Sequence, residues 1–95
     1  MSSATTTTDH DDIRLWVEKR NGYPAVVADT RGKGGGGVLQ IDFEDPQNDD
    51  ERLERIGWDE FFRIFDRNDL AFLKDDEGSG RFNKFVAKES ADTRH

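Results

Sequence analysis

Residues 58–73 read WDEFFRIFDRNDLAFL. Trp58, Phe61, Phe62 and Phe65 recur at i, i+3, i+4 and i+7, with Ile64 on the flank, which is the apolar stripe of a helix. Asn68 is a stop that can adopt a left-handed conformation. Beyond it, Leu70–Lys74 and Arg81–Ala87 are two apolar runs separated by DDEGSG, a turn signal, so the helix leads into a β-hairpin. Neither a striped helix nor a hairpin buries its apolar face alone, so a second layer must come from the rest of the chain.

Towards the N-terminus, residues 44–54 (EDPQNDDERLE) are acidic, contain a proline and lack a period, so they read as a loop. Val38–Phe43 alternates: Leu39, Ile41 and Phe43 face one way, and Val38, Gln40 and Asp42 the other, as in a half-buried strand. Ala25–Asp29 is a second, shorter strand. Ile13, Trp16, Val17 and Arg20 form a stripe for a first helix over Asp9–Arg20, with a Thr8/Asp11 capping pattern and acidic side chains where the helix dipole favours them. Asn21-Gly22 stops that helix and Pro24 prevents its resumption. The halves share the order helix, strand, strand but no residue pattern, so no internal repeat is expected.

The order α-β-β-α-β-β predicts an α+β fold: a two-layer α/β sandwich with a four-stranded, mainly antiparallel sheet and both helices on one face. Residues 8–89 form the domain; residues 1–7 and 90–95 are expected to be disordered or frayed tails. With 95 residues only one thin core is possible. A net charge of −7, from 21 acidic and 14 basic side chains, disfavours nucleic acid and anionic lipid as partners and favours solubility or a basic partner. The absence of cysteine excludes disulfides and thiolate chemistry. The start, MSSATTTTDHDD, has neither the basic nor the apolar region of a secretory signal, and no apolar run approaches the ~18 residues of a membrane span. The expectation is a cytoplasmic protein.

The stretch RGKGGGGVLQIDF (residues 31–43) holds the glycine pattern of dinucleotide loops, at Gly32, Gly34 and Gly37. That motif needs a helix after the loop to hold pyrophosphate, and a strand follows instead. Lys33 precedes Gly34 rather than serine or threonine, so the phosphate-loop pattern fails too. The loop therefore reads as a flexible hairpin connection, with Arg31 and Lys33 as the candidate residues if it closes on an anionic ligand. His10 among Asp9, Asp11 and Asp12 suggests a metal site, but these side chains fan around a helical turn and helix capping explains them; no metal or cofactor is expected. His95 lies in a tail, and no histidine base is expected for a nucleophile. Carboxylate pairs such as Asp42/Glu44 and Asp59/Glu60 would need a walled cleft for catalysis, which a domain this small rarely provides. A sheet face bearing Arg81, Lys84 and Lys88 near phenylalanines has the layout of a single-strand nucleic-acid platform, against the net charge.

The blocks DHDDIRLWVEKRNGYPA, KGGGGVLQIDF, IGWDEFFRIFDRNDLAFL and RFNKFVAKE resemble a family of short, uncharacterised bacterial proteins, some of them labelled 1,4-alpha-glucan branching enzyme. The likeness spans nearly all of the chain between the tails and implies one whole domain. A branching enzyme needs a large barrel of at least about 200 residues, so the label implies no catalytic residue here. The expected function is a small, acidic, non-catalytic binding or regulatory module; the alternatives are a factor in glucan metabolism or a nucleic-acid binder. Between Glu44 and Glu60 eight carboxylates face Arg52 and Arg55. Asp49, Asp50, Glu51 and Glu54 in that lobe are candidates for docking a basic protein segment.

Overall fold

A computed structural model describes residues 4–44, 51–76, 78 and 80–89. Among them the chain runs β1 (Ala4–Thr7), α1 (His10–Lys19), β2 (Gly22–Val27), β3 (Leu39–Phe43), β4 (Leu53–Arg55), α2 (Trp58–Arg67), β5 (Leu70–Asp75) and β6 (Asn83–Ala87). The 3-10 turns Ala28–Thr30 and Gly34–Gly36 lie between β2 and β3. The fold is α+β, but the expected four-stranded sheet is replaced by two antiparallel three-stranded sheets, ordered β3-β2-β4 and β1-β5-β6. Each expected hairpin is present, and each gains a strand from a segment read as irregular. β1 comes from the expected N-terminal tail and pairs Thr7 with Phe72 through Ala4 with Asp75. β4 comes from the expected acidic loop and pairs Arg55 with Ala25 and Leu53 with Val27. Both are short edge strands with few buried side chains, so neither leaves an alternating pattern to read.

β2 begins three residues before the expected Ala25 and runs through Pro24. The Pro24 carbonyl accepts from the Ile56 amide at 3.0 Å, so the proline's missing N–H falls where β4 ends. It shortens the ladder by one bond instead of interrupting it. Helix caps are also displaced by a residue. Asp9, not Thr8, caps α1, its Oδ1 accepting from the amides of Asp11 (2.9 Å) and Asp12 (3.3 Å). After α2 the left-handed residue is Asp69 (φ 51°), while Asn68 stays at φ −97°.

The two halves repeat each other in structure. Adding 48 to a residue number carries His10–Lys19 onto Trp58–Arg67, and the left-handed Asn21 onto Asp69. It also carries the buried Ile13, Trp16 and Val17 onto the buried Phe61, Ile64 and Phe65. The hairpins share a register: Gly22 opposes Phe43 as Leu70 opposes Ala87. Each is closed by the same bond, from Glu44 N to Asn21 O at 2.9 Å and from Lys88 N to Asp69 O at 2.8 Å. The chain is thus two β-α-β-β units, β1-α1-β2-β3 and β4-α2-β5-β6. The units exchange their first strands: β1 completes the sheet of the second, and β4 that of the first. What repeats is the burial pattern, not residue identity, which is why the sequence shows no repeat.

The core joins Ile13, Trp16 and Val17 of α1, Phe61, Ile64 and Phe65 of α2, and Val26, Leu39, Ile41 and Phe72 from the sheets. α2 packs against β2, β3 and β5 and so bridges the two sheets. Phe85 of β6 faces this core, within 5.9 Å of Phe61 and 5.2 Å of Phe72 between ring centroids. No helix among the described residues is long and apolar enough to cross a membrane.

Candidate functional site

The connection between β2 and β3 folds back on α2. Thr30 ties its base, with Oγ1 donating to Val27 O (2.6 Å) and accepting from Val38 N (2.9 Å). Inside the loop, Lys33 N donates to Thr30 O, Gly36 N to Lys33 O and Gly32 N to Gly36 O. Asn68 Nδ2, at the end of α2, donates to Gly35 O at 3.1 Å and to Ile64 O at 2.8 Å. The glycines are needed at this contact. Gly36 has φ 107°, and a Cβ there would lie 2.8 Å from Ile64 Cγ1. The expected connection between β2 and β3 is present, and it is docked on a helix.

Between loop and helix lies a cleft of about 370 Å³, lined by Arg31, the backbone of Gly32–Gly36, Lys33, Glu60, Arg63, Ile64 and Arg67. Arg31 is committed: Nε and Nη2 donate to the two Glu60 oxygens at 3.0 and 2.6 Å, and Nη1 donates to Glu54. Hydrogen bonds first to Glu60 and then to Glu54 raise its pKa still further, so it is a permanent cation. Those two carboxylates outweigh its charge by one. Lys33, Arg63 and Arg67 differ: among the described residues none of them is ion-paired. Arg63 and Arg67 stand one turn apart on α2, and Lys33 comes from the opposite wall. The cleft thus carries surplus positive charge in a chain of net charge −7.

The repeat supplies a comparison within the molecule. Trp16 and Arg20 are the counterparts of Ile64 and Asn68, and they face the turn between β5 and β6. Arg20 donates from Nε to Gly80 O at 2.7 Å and from Nη2 to Gly78 O at 3.0 Å, as Asn68 does to Gly35 O. Its guanidinium lies 4.2 Å from the Trp16 ring centroid, and Trp16 Nε1 donates to Asp75 O. Large side chains occupy this position in one half; smaller ones leave it open in the other.

The candidates read from the sequence fall as follows. Arg31 and Lys33 both line the cleft, Arg31 as a clamped strut and Lys33 as a cation without an ion pair among the described residues. Glu54 is paired with Arg31, Glu51 is exposed, and Asp49 and Asp50 lie outside the described residues. His10 stacks on Phe62 at 4.0 Å, with Nε2 3.0 Å from Asp66, and Asp9 caps α1. Among the described residues no group of acidic or histidine side chains is placed to hold a metal. Asp42 and Glu44 are engaged by Arg55 (2.9 Å) and the Tyr23 hydroxyl (3.0 Å). Phe82 precedes β6 and is exposed, Arg81 lies over Phe43, and Lys84 and Lys88 are exposed. Arg63 and Arg67 were missed because exposed cations on a helix are ordinary. Their i, i+4 spacing was visible, but nothing local reveals that a loop from residues 32–36 lies over them.

No family model, no curated protein and no solved structure matches the chain.

Proposed function

We propose that the protein is a small, non-catalytic binding module that captures an anionic ligand in the cleft between the glycine loop and α2. One observation carries the reading: Lys33, Arg63 and Arg67 converge on a single cleft without carboxylate partners among the described residues, in an acidic protein. Like charges at i and i+4 cost a helix about 0.2–0.5 kcal/mol, a cost that a bound anion turns into a gain. Phosphate and carboxylate are the groups that guanidinium forks recognise best. A side-chain-free glycine wall lets such a group approach the backbone. The lining favours binding over catalysis: among the described residues it has no hydroxyl, thiol or imidazole, and its one carboxylate, Glu60, is held at both oxygens by Arg31. The ligand would act on α2 and on both sheets, since α2 packs on each, which suits a regulatory role.

The test is a titration with sodium sulfate and sodium phosphate followed by backbone amide NMR, against sodium chloride at equal ionic strength. Saturable shifts at Gly34–Gly36, Arg63 and Arg67 are expected, and Arg63→Ala combined with Arg67→Ala should weaken binding at least about tenfold, given about 1.4 kcal/mol per decade. Shifts that match sodium chloride and never saturate would overturn the reading.

A further inference from the structure

We infer that the group this cleft recognises is a linked pair of phosphoryl groups, a diphosphate, with whatever it is attached to left outside; this rests on the anion-binding reading above. Size is the first argument. The cleft of about 370 Å³ is open to solvent along one side, so it has room for two linked phosphoryl groups while the rest of the ligand stays outside. Charge is the second. Arg31, Lys33, Arg63 and Arg67 stand against the carboxylates Glu54 and Glu60, which leaves a surplus of two positive charges on the side of Lys33, Arg63 and Arg67. A carboxylate leaves part of that surplus unmatched, whereas phosphoryl groups, which carry about −1.5 to −2 each near neutral pH, cover it.

Spacing is the third argument. Residues at i and i+4 on a helix hold their Cβ atoms about 5–6 Å apart, so Arg63 and Arg67 present two separate forks, each suited to one phosphoryl group. Lys33, a point charge on the facing wall, can approach the bridge between them. The lining also says what is not read. Among the described residues it contains no aromatic side chain, and its one apolar residue, Ile64, is only 4% exposed. A nucleobase therefore finds no aromatic ring to stack on and an acyl chain no apolar surface to bury on among the described residues, so inorganic diphosphate and a diphosphate ester should bind alike.

The full chain is titrated by calorimetry and amide NMR with inorganic phosphate, inorganic diphosphate, AMP and ADP at constant ionic strength. Diphosphate is expected to bind at least tenfold tighter than phosphate, with ADP within about threefold of diphosphate and AMP close to phosphate. Arg67→Ala should bring diphosphate down towards the phosphate level while phosphate itself changes little. Phosphate binding as tightly as diphosphate, or AMP matching ADP, overturns the diphosphate assignment and leaves the anion cleft standing. If no anion gives saturable binding, both fall. Circular dichroism of Arg67→Ala, an exposed position, separates lost binding from lost fold.

Discussion

Gly36 shows how one residue sets the shape of the cleft. Its φ of 107° and its contact with Ile64 leave no place for a Cβ, whereas Gly34 has ordinary φ and open space around it. Gly36→Ala should therefore destabilise the fold by about 1–3 kcal/mol, while Gly34→Ala stays within about 0.5 kcal/mol, as read by urea denaturation. Equal effects at the two positions would contradict the docked loop. Asp76 tests a different contact. Lys74, buried on β5, donates to Asp76 at 2.5 Å, and the Thr5 hydroxyl of β1 donates to the same carboxylate at 2.6 Å. Chiefly through the Lys74 bond and then the Thr5 bond, the Asp76 pKa is lowered from 3.8. A lowered folded-state pKa contributes stability above the unfolded value, and that contribution is lost as pH falls through the folded value. Asp76→Asn should therefore be less stable than wild type at neutral pH. The difference should close as pH falls below 3.8, measured by thermal melts across the acid range.

Among elements, α2 dominates. Phe61 is fully buried and touches Phe85 as well as its helical neighbours, so Phe61→Ala should cost about 3–5 kcal/mol in chemical denaturation. The helix was legible because its stripe is dense and aromatic, and the hairpin behind it because a turn signal separates two apolar runs. β1 was not legible: threonines facing water on an edge carry no period. Its worth lies in backbone bonds to β5 and in the Thr5 contact with Asp76. Removing residues 1–7 should cost about 1–3 kcal/mol, from a few net bonds at about 0.5–1.5 kcal/mol each. It should also speed amide exchange in β5, whose β1-facing edge is then open. Unchanged exchange in β5 after the truncation would count against the strand exchange.

For the molecule as a whole, charge and ligand should act together. At a net charge of −7, self-repulsion weakens as salt screens it, so sodium chloride should raise the melting temperature modestly. An anion held in the cleft adds RT ln(1 + [L]/Kd), so diphosphate should raise the melting temperature beyond sodium chloride of equal ionic strength. That extra rise should vanish in the Arg63→Ala, Arg67→Ala double variant. Only half of the site was legible in the sequence. Arg31 and Lys33 drew notice beside their glycines, but Arg63 and Arg67 lie some thirty residues away on another element, and convergence across that distance is a property of packing.

The sequence by itself determined both helices, the alternating strand at Leu39–Phe43 and the final hairpin. Each is a local matter: spacing of 3.6 or 2 decides which side chains share a face, and glycine, asparagine and turn residues decide where the run stops. Tertiary structure decided what those signals leave open. Each hairpin offers a free edge on its first strand, β2 or β5, and the short segments at Ala4–Thr7 and Leu53–Arg55 pair with those edges by crossing to the opposite unit. Backbone pairing of that kind depends on which edge is within reach, and backbone groups are the same in every residue, so no side-chain pattern records it. The same packing set Ile64 and Asn68 under the glycine loop where the other half has Trp16 and Arg20, and so left one of two equivalent positions open.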